Sequence, residues 1–240
     1  MSQLVMVRHG QAAAFSEDSD RLTELGERQA AVLGDYWAQH GVEFDDVIVG
    51  TLRRHVQTEA QVAAAYQRAG RAWPQARSAP GWNEYNASAI MQLGAQVREL
   101  DPEFAKLVAA FEAASGGPEQ NRYFQRMFEV LMARWVSGEL RAHELAGFES
   151  FESFHGRVSQ AFEDVLKTTG SRRVVVFSSG GPIGVTVQQA LRAPKPVALE
   201  LNWRVRNTSL TEYVFGRGRL SLDSFNVAPH LEGTQLQTFR

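Results

Sequence analysis

The chain has 240 residues, 44% of them hydrophobic and 22% charged, which suits one sizeable core, or one core with a helical elaboration, and excludes a disordered chain. A formal net charge of -2, with Lys and Arg scattered along the sequence, gives no basic stripe able to neutralise a nucleic-acid backbone, so any anion bound is small and held locally. There is no cysteine, which excludes disulfides, thiolate metal sites and a thiol nucleophile and leaves His, Ser, Thr, Lys or a carboxylate for covalent work.

Leu4 to Val7 is a short apolar run that predicts a buried strand ending in Arg8-His9-Gly10. It follows Met1 with no basic leader or cleavage pattern, and no apolar stretch of roughly 20 residues occurs, so a cytoplasmic location without a membrane partner is expected. Leu25, Ala30, Leu33 and Trp37 recur at helical spacing from Thr23 to His40, with Gly41 as the stop. Val47 to Val49 predicts a second buried strand, and Arg53 to Arg68 an alanine-rich helix stopped by Gly70. Two successive βα units imply a parallel sheet.

From about 86 to 147 the pattern is helical without a strand, broken at Asp101-Pro102 and Ser115-Gly116-Gly117-Pro118, and reads as an inserted helical cap. A helix from Phe151 to Thr168 then leads into the buried strand Arg173 to Ser178, after which Gly180-Gly181-Pro182 opens another helix. Ser209 to Phe215 and Arg219 to Val227 predict a hairpin at the sheet edge. The expected fold is therefore α/β: a single domain over 1–240, built as a three-layer α/β/α sandwich around a mostly parallel sheet, with the helical cap inserted.

Open α/β sheets bind ligands outside the carboxyl ends of their strands, which groups Arg8, His9, Gly10, Ser178, Ser179, Gly180 and Gly181. A phosphate would match both Arg8 and His9; a surface histidine beside a structural arginine is the plainer alternative. His40, His55, His143, His155 and His230 are expected at the surface or as caps. His155 falls on a helix assigned to the main domain. No dinucleotide fingerprint, Walker loop or metal-ligand spacing is present, so neither cofactor nor metal is expected.

Arg8-His9-Gly10-Gln11-Ala12, the following Leu22 to Ala30 segment, Leu52-x-Arg54-x-x-Gln57-Thr58, and Glu149-Ser150 with Arg157 together resemble the histidine phosphatase superfamily, also called phosphoglycerate mutase-like. The resemblance runs through most of the chain. It implies that His9 is the nucleophile that accepts the phosphoryl group, that Arg8 and Arg54 bind phosphate, and that Glu84, in Trp82-Asn83-Glu84-Tyr85, is the general acid. Planar guanidinium forks pair with phosphoryl oxygens bidentately, and a neutral imidazole has a lone pair near neutral pH. Glu17 and Asp18 are weaker candidates for the acid. Where the family has Ser-His-Gly-Gly, this chain has Ser178-Ser179-Gly180-Gly181, so the resemblance puts Ser179 in place of the second histidine, with Gly180 beside it as a further phosphate-binding residue. A hydroxyl recovering half of a lost oxyanion donor leaves a deficit of about 1.5 to 2 kcal/mol, or roughly 10- to 30-fold in rate. On this reading Ser179→His raises turnover.

The function expected is phosphomonoester hydrolysis through phosphohistidine on His9, by a metal-independent phosphatase. The alternatives are a weak or silent phosphoester-binding module, a mutase-type phosphotransferase, and a serine nucleophile at Ser179. Mutases carry Trp-Asn where this chain has Ala13-Ala14-Phe15-Ser16, and Phe177 stands where the serine elbow needs glycine. The expected partner is a small phosphorylated substrate, with no nucleic acid or membrane, and a homodimer is among the assemblies left open.

Overall fold

The Val-rich runs form strands because β-branched and aromatic side chains fit a pleated surface buried on both faces. In a computed structural model, which describes residues 1–13, 20–140 and 145–239, they are β1 (Ser2–Arg8), β2 (Asp46–Val49), β4 (Arg173–Ser178) and β5 (Leu210–Gly216). The short β3 (Arg77–Ser78) and the outer β6 (Arg219–Val227) complete a six-stranded sheet in the order β3-β2-β4-β1-β5-β6. The pairs β2/β3, β2/β4 and β1/β4 are parallel, whereas β1/β5 and β5/β6 are antiparallel. The β5–β6 turn, Arg217-Gly218, has φ of 52° and 73°, the two positive values that a type I′ hairpin needs.

Strand alternation divides the core between two helical layers. Val5, Val7, Val47, Val49, Val175 and Phe177 pack with Leu33 and Trp37 of α1 (Glu24–Gln39) and with Val62 and Tyr66 of α2 (Arg53–Arg68). The intervening residues Leu4, Met6, Ile48, Val174 and Val176 are also buried. On that face lie the part of α7 (Phe151–Leu166) that carries Phe162, whose ring is 5.4 Å from Tyr213, and α8 (Gly180–Ala190), whose Thr186 hydroxyl meets Met6 and Tyr213. The result is the expected α/β fold. Each fully buried Val, Leu or Phe contributes about 1.5 to 3 kcal/mol relative to exposure, which fixes the strand register and with it the strand ends.

The chain divides into two compact units, residues 1–84 with 157–240 and residues 85–156. Among the described residues the second unit holds helices and no strand: α3 (Ala87–Gln92), α4 (Gly94–Leu100), α5 (Pro102–Ala113) and α6 (Gln120–Val136). Its centre is Trp135, whose ring lies 4.9 Å from Tyr85, 5.2 Å from Phe151 and 5.6 Å from Phe154, with Nε1 donating to the Glu149 carbonyl at 2.8 Å. Phe151 and Phe154 carry this unit past 147 to residue 156, so His155 belongs to it and not, as expected, to the main body. Phe124 stacks on Phe128 at 6.2 Å. Among the described residues, no helix is long and apolar enough to cross a membrane.

Candidate active site

The parallel pairing sets Arg8 opposite Ser178, so the next residues, His9 and Ser179, leave neighbouring strands side by side. The His9 amide donates to the Ser178 carbonyl at 2.9 Å. His9 is buried, and its Nδ1 lies 2.7 Å from the Gly10 carbonyl oxygen. A carbonyl only accepts, so Nδ1 carries the proton and Nε2 the lone pair. Burial pushes His9 well below the usual histidine range, and Arg54, Arg8 and His55 reinforce that shift, while the Gly10 bond opposes it. The imidazole is therefore neutral at pH 7.

The loop after β1 is held by α2 and α1. Thr58 Oγ1 accepts from the Gly10 amide at 3.0 Å and donates to the Arg54 carbonyl at 2.7 Å, while Gln57 Oε1 accepts from Leu22 at 2.9 Å. A Cβ on Gly10 would lie 2.4 Å from the Gly26 carbonyl oxygen, and one on Gly26 would lie 2.1 Å from that of Gln11. Thr23 caps α1 by accepting from the Gly26 amide at 3.0 Å.

Arg8 and Arg54 both act on His9 electrostatically, and both already have protein partners. Arg8 Nη1 donates to the carbonyls of Val205 and Phe239, the latter at 2.8 Å. Arg54 Nη1 is paired with Asp20 Oδ1 at 2.6 Å, and Asp20 Oδ2 accepts from the Arg53 amide at 2.7 Å. Asp20 carries no motif that marks it in the sequence, and the lesser acid candidates Glu17 and Asp18, like Ala14 to Ser16, lie outside the described residues.

Glu84 ends a loop tied down on three sides. Arg157 donates through Nη1 to the carbonyls of Gly81 at 3.2 Å and Asn83 at 2.7 Å, and through Nη2 to that of Glu84 at 3.3 Å. Ser178 Oγ donates to the Trp82 carbonyl at 2.7 Å, and the Asn83 amide group exchanges two bonds with Thr51 at 2.6 and 2.7 Å. Glu84 Oε2 accepts from the Gly181 amide at 3.0 Å, at the N-terminus of α8. A Cβ on Gly180 would lie 2.1 Å from Asn202 Oδ1.

The histidines correct the expectation. His40 is exposed at the C-cap of α1, as expected, and His143 lies outside the described residues. His55, His155 and His230 are buried instead. His155 packs 5.8 Å from Phe151, and His230 accepts from or donates to Thr208 at 3.0 Å. His55 is the consequential one: its Nε2 is 2.6 Å from Ser179 Oγ and its ring centre 5.7 Å from that of His9. Ser179 is the N-cap of α8 but makes no capping bond, because its hydroxyl faces His55.

Residues 4–138 and 120–228 match the histidine phosphatase superfamily (branch 1). The fold matches a phosphoserine phosphatase from Entamoeba histolytica in complex with phosphoserine, with a TM-score of 0.63 and 18% identity over 96% of this chain and 100% of that one. It also matches a putative α-ribazole-5'-P phosphatase from Escherichia coli, with a TM-score of 0.63 and 18% identity over 95% and 98%. A mycobacterial glucosyl-3-phosphoglycerate phosphatase with inorganic phosphate gives a TM-score of 0.60 and 20% identity over 96% and 99%. No curated protein matches the sequence. The chain belongs to branch 1 of the histidine phosphatase superfamily and is an enzyme of that type.

Proposed function

We propose that the protein is a metal-independent phosphomonoesterase. Nε2 of His9 attacks phosphorus, Arg8 and Arg54 hold the phosphoryl oxygens, and Glu84 gives its proton to the leaving alkoxide. Water then attacks the phosphohistidine, Glu84 takes up a proton from it, the P–N bond breaks and inorganic phosphate departs. The observation that carries this reading is the His9 imidazole, buried, neutral and fixed through Nδ1 on Gly10 so that its lone pair sits on Nε2 beside two guanidinium groups. Phosphoryl transfer asks mainly for such positioning and charge stabilisation.

Ser179 is proposed to stand where the superfamily has its second histidine, and Gly180 to offer its backbone to the same anion. The similar solved structures described as phosphatases support a phosphate ester as substrate. They include enzymes for phosphoserine, α-ribazole-5'-P and glucosyl-3-phosphoglycerate, which differ too much to select one ester for this chain.

Hydrolysis of para-nitrophenyl phosphate in the presence of EDTA, with mass spectrometry of the acid-labile adduct, tests the proposal. Turnover, phosphate attached to His9, and loss of both in His9→Ala are the expected results. Wild-type protein that neither turns over nor becomes phosphorylated would leave a phosphoester-binding module in place of the enzyme.

A further inference from the structure

His55 is a fully buried imidazole for which the phosphatase reading gives no task. It stands on the first turn of α2 beside Arg54, enclosed between Gly50 and Ser179. A Cβ on Gly50 would lie 2.2 Å from His55 Nδ1, and among the described residues that nitrogen has no hydrogen-bond partner. Nε2 meets Ser179 Oγ at 2.6 Å, and the ring centre is 5.7 Å from that of His9. Ser179 is itself fully buried, and its hydroxyl does not cap α8.

We propose that His55 is a positioning residue that acts through Ser179: its Nε2–H donates to Ser179 Oγ, which frees the Ser179 hydroxyl hydrogen to be aimed at a phosphoryl oxygen on His9. Three properties of the pair lead there. A phosphoryl group only accepts hydrogen bonds, so with it in place both bonds form only if the proton sits on Nε2 and the hydroxyl points outward. Nδ1 then carries a lone pair, and a buried acceptor without a partner is tolerated better than a buried N–H. The strand register supplies the third, since Ser179 leaves β4 beside the point where His9 leaves β1. Burial, and after it the charge of Arg54, hold His55 well below the usual histidine range, so the imidazole enters this relay neutral.

The inference rests on the phosphohistidine reading, and two measurements separate them. With para-nitrophenyl phosphate, His55→Ala and Ser179→Ala are each expected to lower kcat about tenfold or more while KM moves less than about threefold, in line with loss of a donor used in the transition state. The double variant should be no slower than the slower single one. Moving the imidazole across the contact, in His55→Ala/Ser179→His, should recover activity to within about threefold of wild type, because a longer side chain at 179 enters the volume that His55 vacates. Independent losses that multiply in the double variant, or an unchanged kcat in His55→Ala, overturn the proposal while leaving His9 catalysis standing.

The second measurement uses only wild type and does not depend on a variant folding. Histidine 15N spectra recorded with added inorganic phosphate should show His55 Nε2 in the N–H form and Nδ1 as the lone-pair nitrogen. That result without ester turnover would retain the relay and reject the phosphatase, whereas a phosphate-bound His55 with its proton on Nδ1 rejects the relay. A protein showing neither turnover nor a phosphate-dependent shift overturns both.

Discussion

Arg54 Nη1 donates to Asp20 Oδ1 across 2.6 Å, so a guanidinium that depresses the His9 pKa already has an anionic partner before any substrate arrives. On the proposed function, an incoming phosphoryl group must compete with that carboxylate. Both side chains are partly exposed, and pairs of this kind are worth up to about 1 kcal/mol, or roughly fivefold. Asp20→Asn keeps an oxygen for the Arg53 amide and removes the charge. Inhibition by inorganic phosphate is expected to tighten by up to about fivefold in the variant; weaker inhibition would show that Asp20 orients Arg54 for phosphate instead of competing with it.

Glu84→Gln should separate leaving groups. General acid catalysis contributes about 10²- to 10⁴-fold where the departing alkoxide needs a proton, and far less for para-nitrophenolate. The expected result is a large fall in kcat for an alkyl phosphate and a small one for para-nitrophenyl phosphate. Equal falls for the two esters would assign Glu84 to holding the Gly181 amide alone.

Stability should decline below pH 6.5 because three buried histidines resist protonation. Burial lowers His230 to about 4 and pushes His9 and His55 well below their ordinary value. The unfolded chain takes up protons at these positions near pH 6.5, while the native protein does so only at lower pH. Their contribution is thus complete above about pH 6.5 and is lost as the pH falls towards the native values. His230 alone is expected to cost about 2 kcal/mol between pH 7 and pH 5. Urea unfolding at the two pH values measures this loss, and His230→Asn should shrink it; equal stability at both would contradict the neutral buried imidazoles.

Thr58→Val removes the acceptor of the Gly10 amide and the donor to the Arg54 carbonyl while keeping the side-chain shape. A buried amide left without a partner costs about 1 to 3 kcal/mol. A lower urea midpoint is expected together with slower turnover, since the Gly10 carbonyl also fixes His9 Nδ1. Thr58→Ser, which restores the hydroxyl, should recover both.

The sheet was legible because its strands are short apolar runs whose register is enforced by burial on both faces. The placement of the candidate site was legible where it rests on strand ends, as at His9, and less so where it depends on groups far apart in sequence. His55, expected at the surface or as a cap, is buried on the inner face of α2. A helical stripe of His55, Thr58, Val62, Ala65 and Tyr66, all buried, was the signal that would have placed it inside. Arg157 is legible in the sequence only as part of a motif, and its grip on the carbonyls of Gly81, Asn83 and Glu84 spans more than seventy residues of sequence. The expectation that Ser179→His alone would accelerate turnover does not survive the geometry. A second imidazole has no room where Ser179 Oγ already touches His55 at 2.6 Å, and overpacking a buried site is destabilising.

The meeting of Gly10 with Gly26 bears on how this sequence can change. Each residue is excluded from carrying a side chain by backbone atoms of the opposing segment, the Gly26 carbonyl in one direction and the Gln11 main chain in the other. Because no side chain takes part, there is none to trim, and a second mutation has nothing with which to compensate the first. Every single-residue route away from glycine at either position passes through a protein whose loop after β1, next to His9, has been pushed off α1. Deep mutational scanning should therefore find 10 and 26 intolerant even to alanine, and intolerant together as well as singly, while the neighbouring Gln11 and Leu25 positions accept replacement.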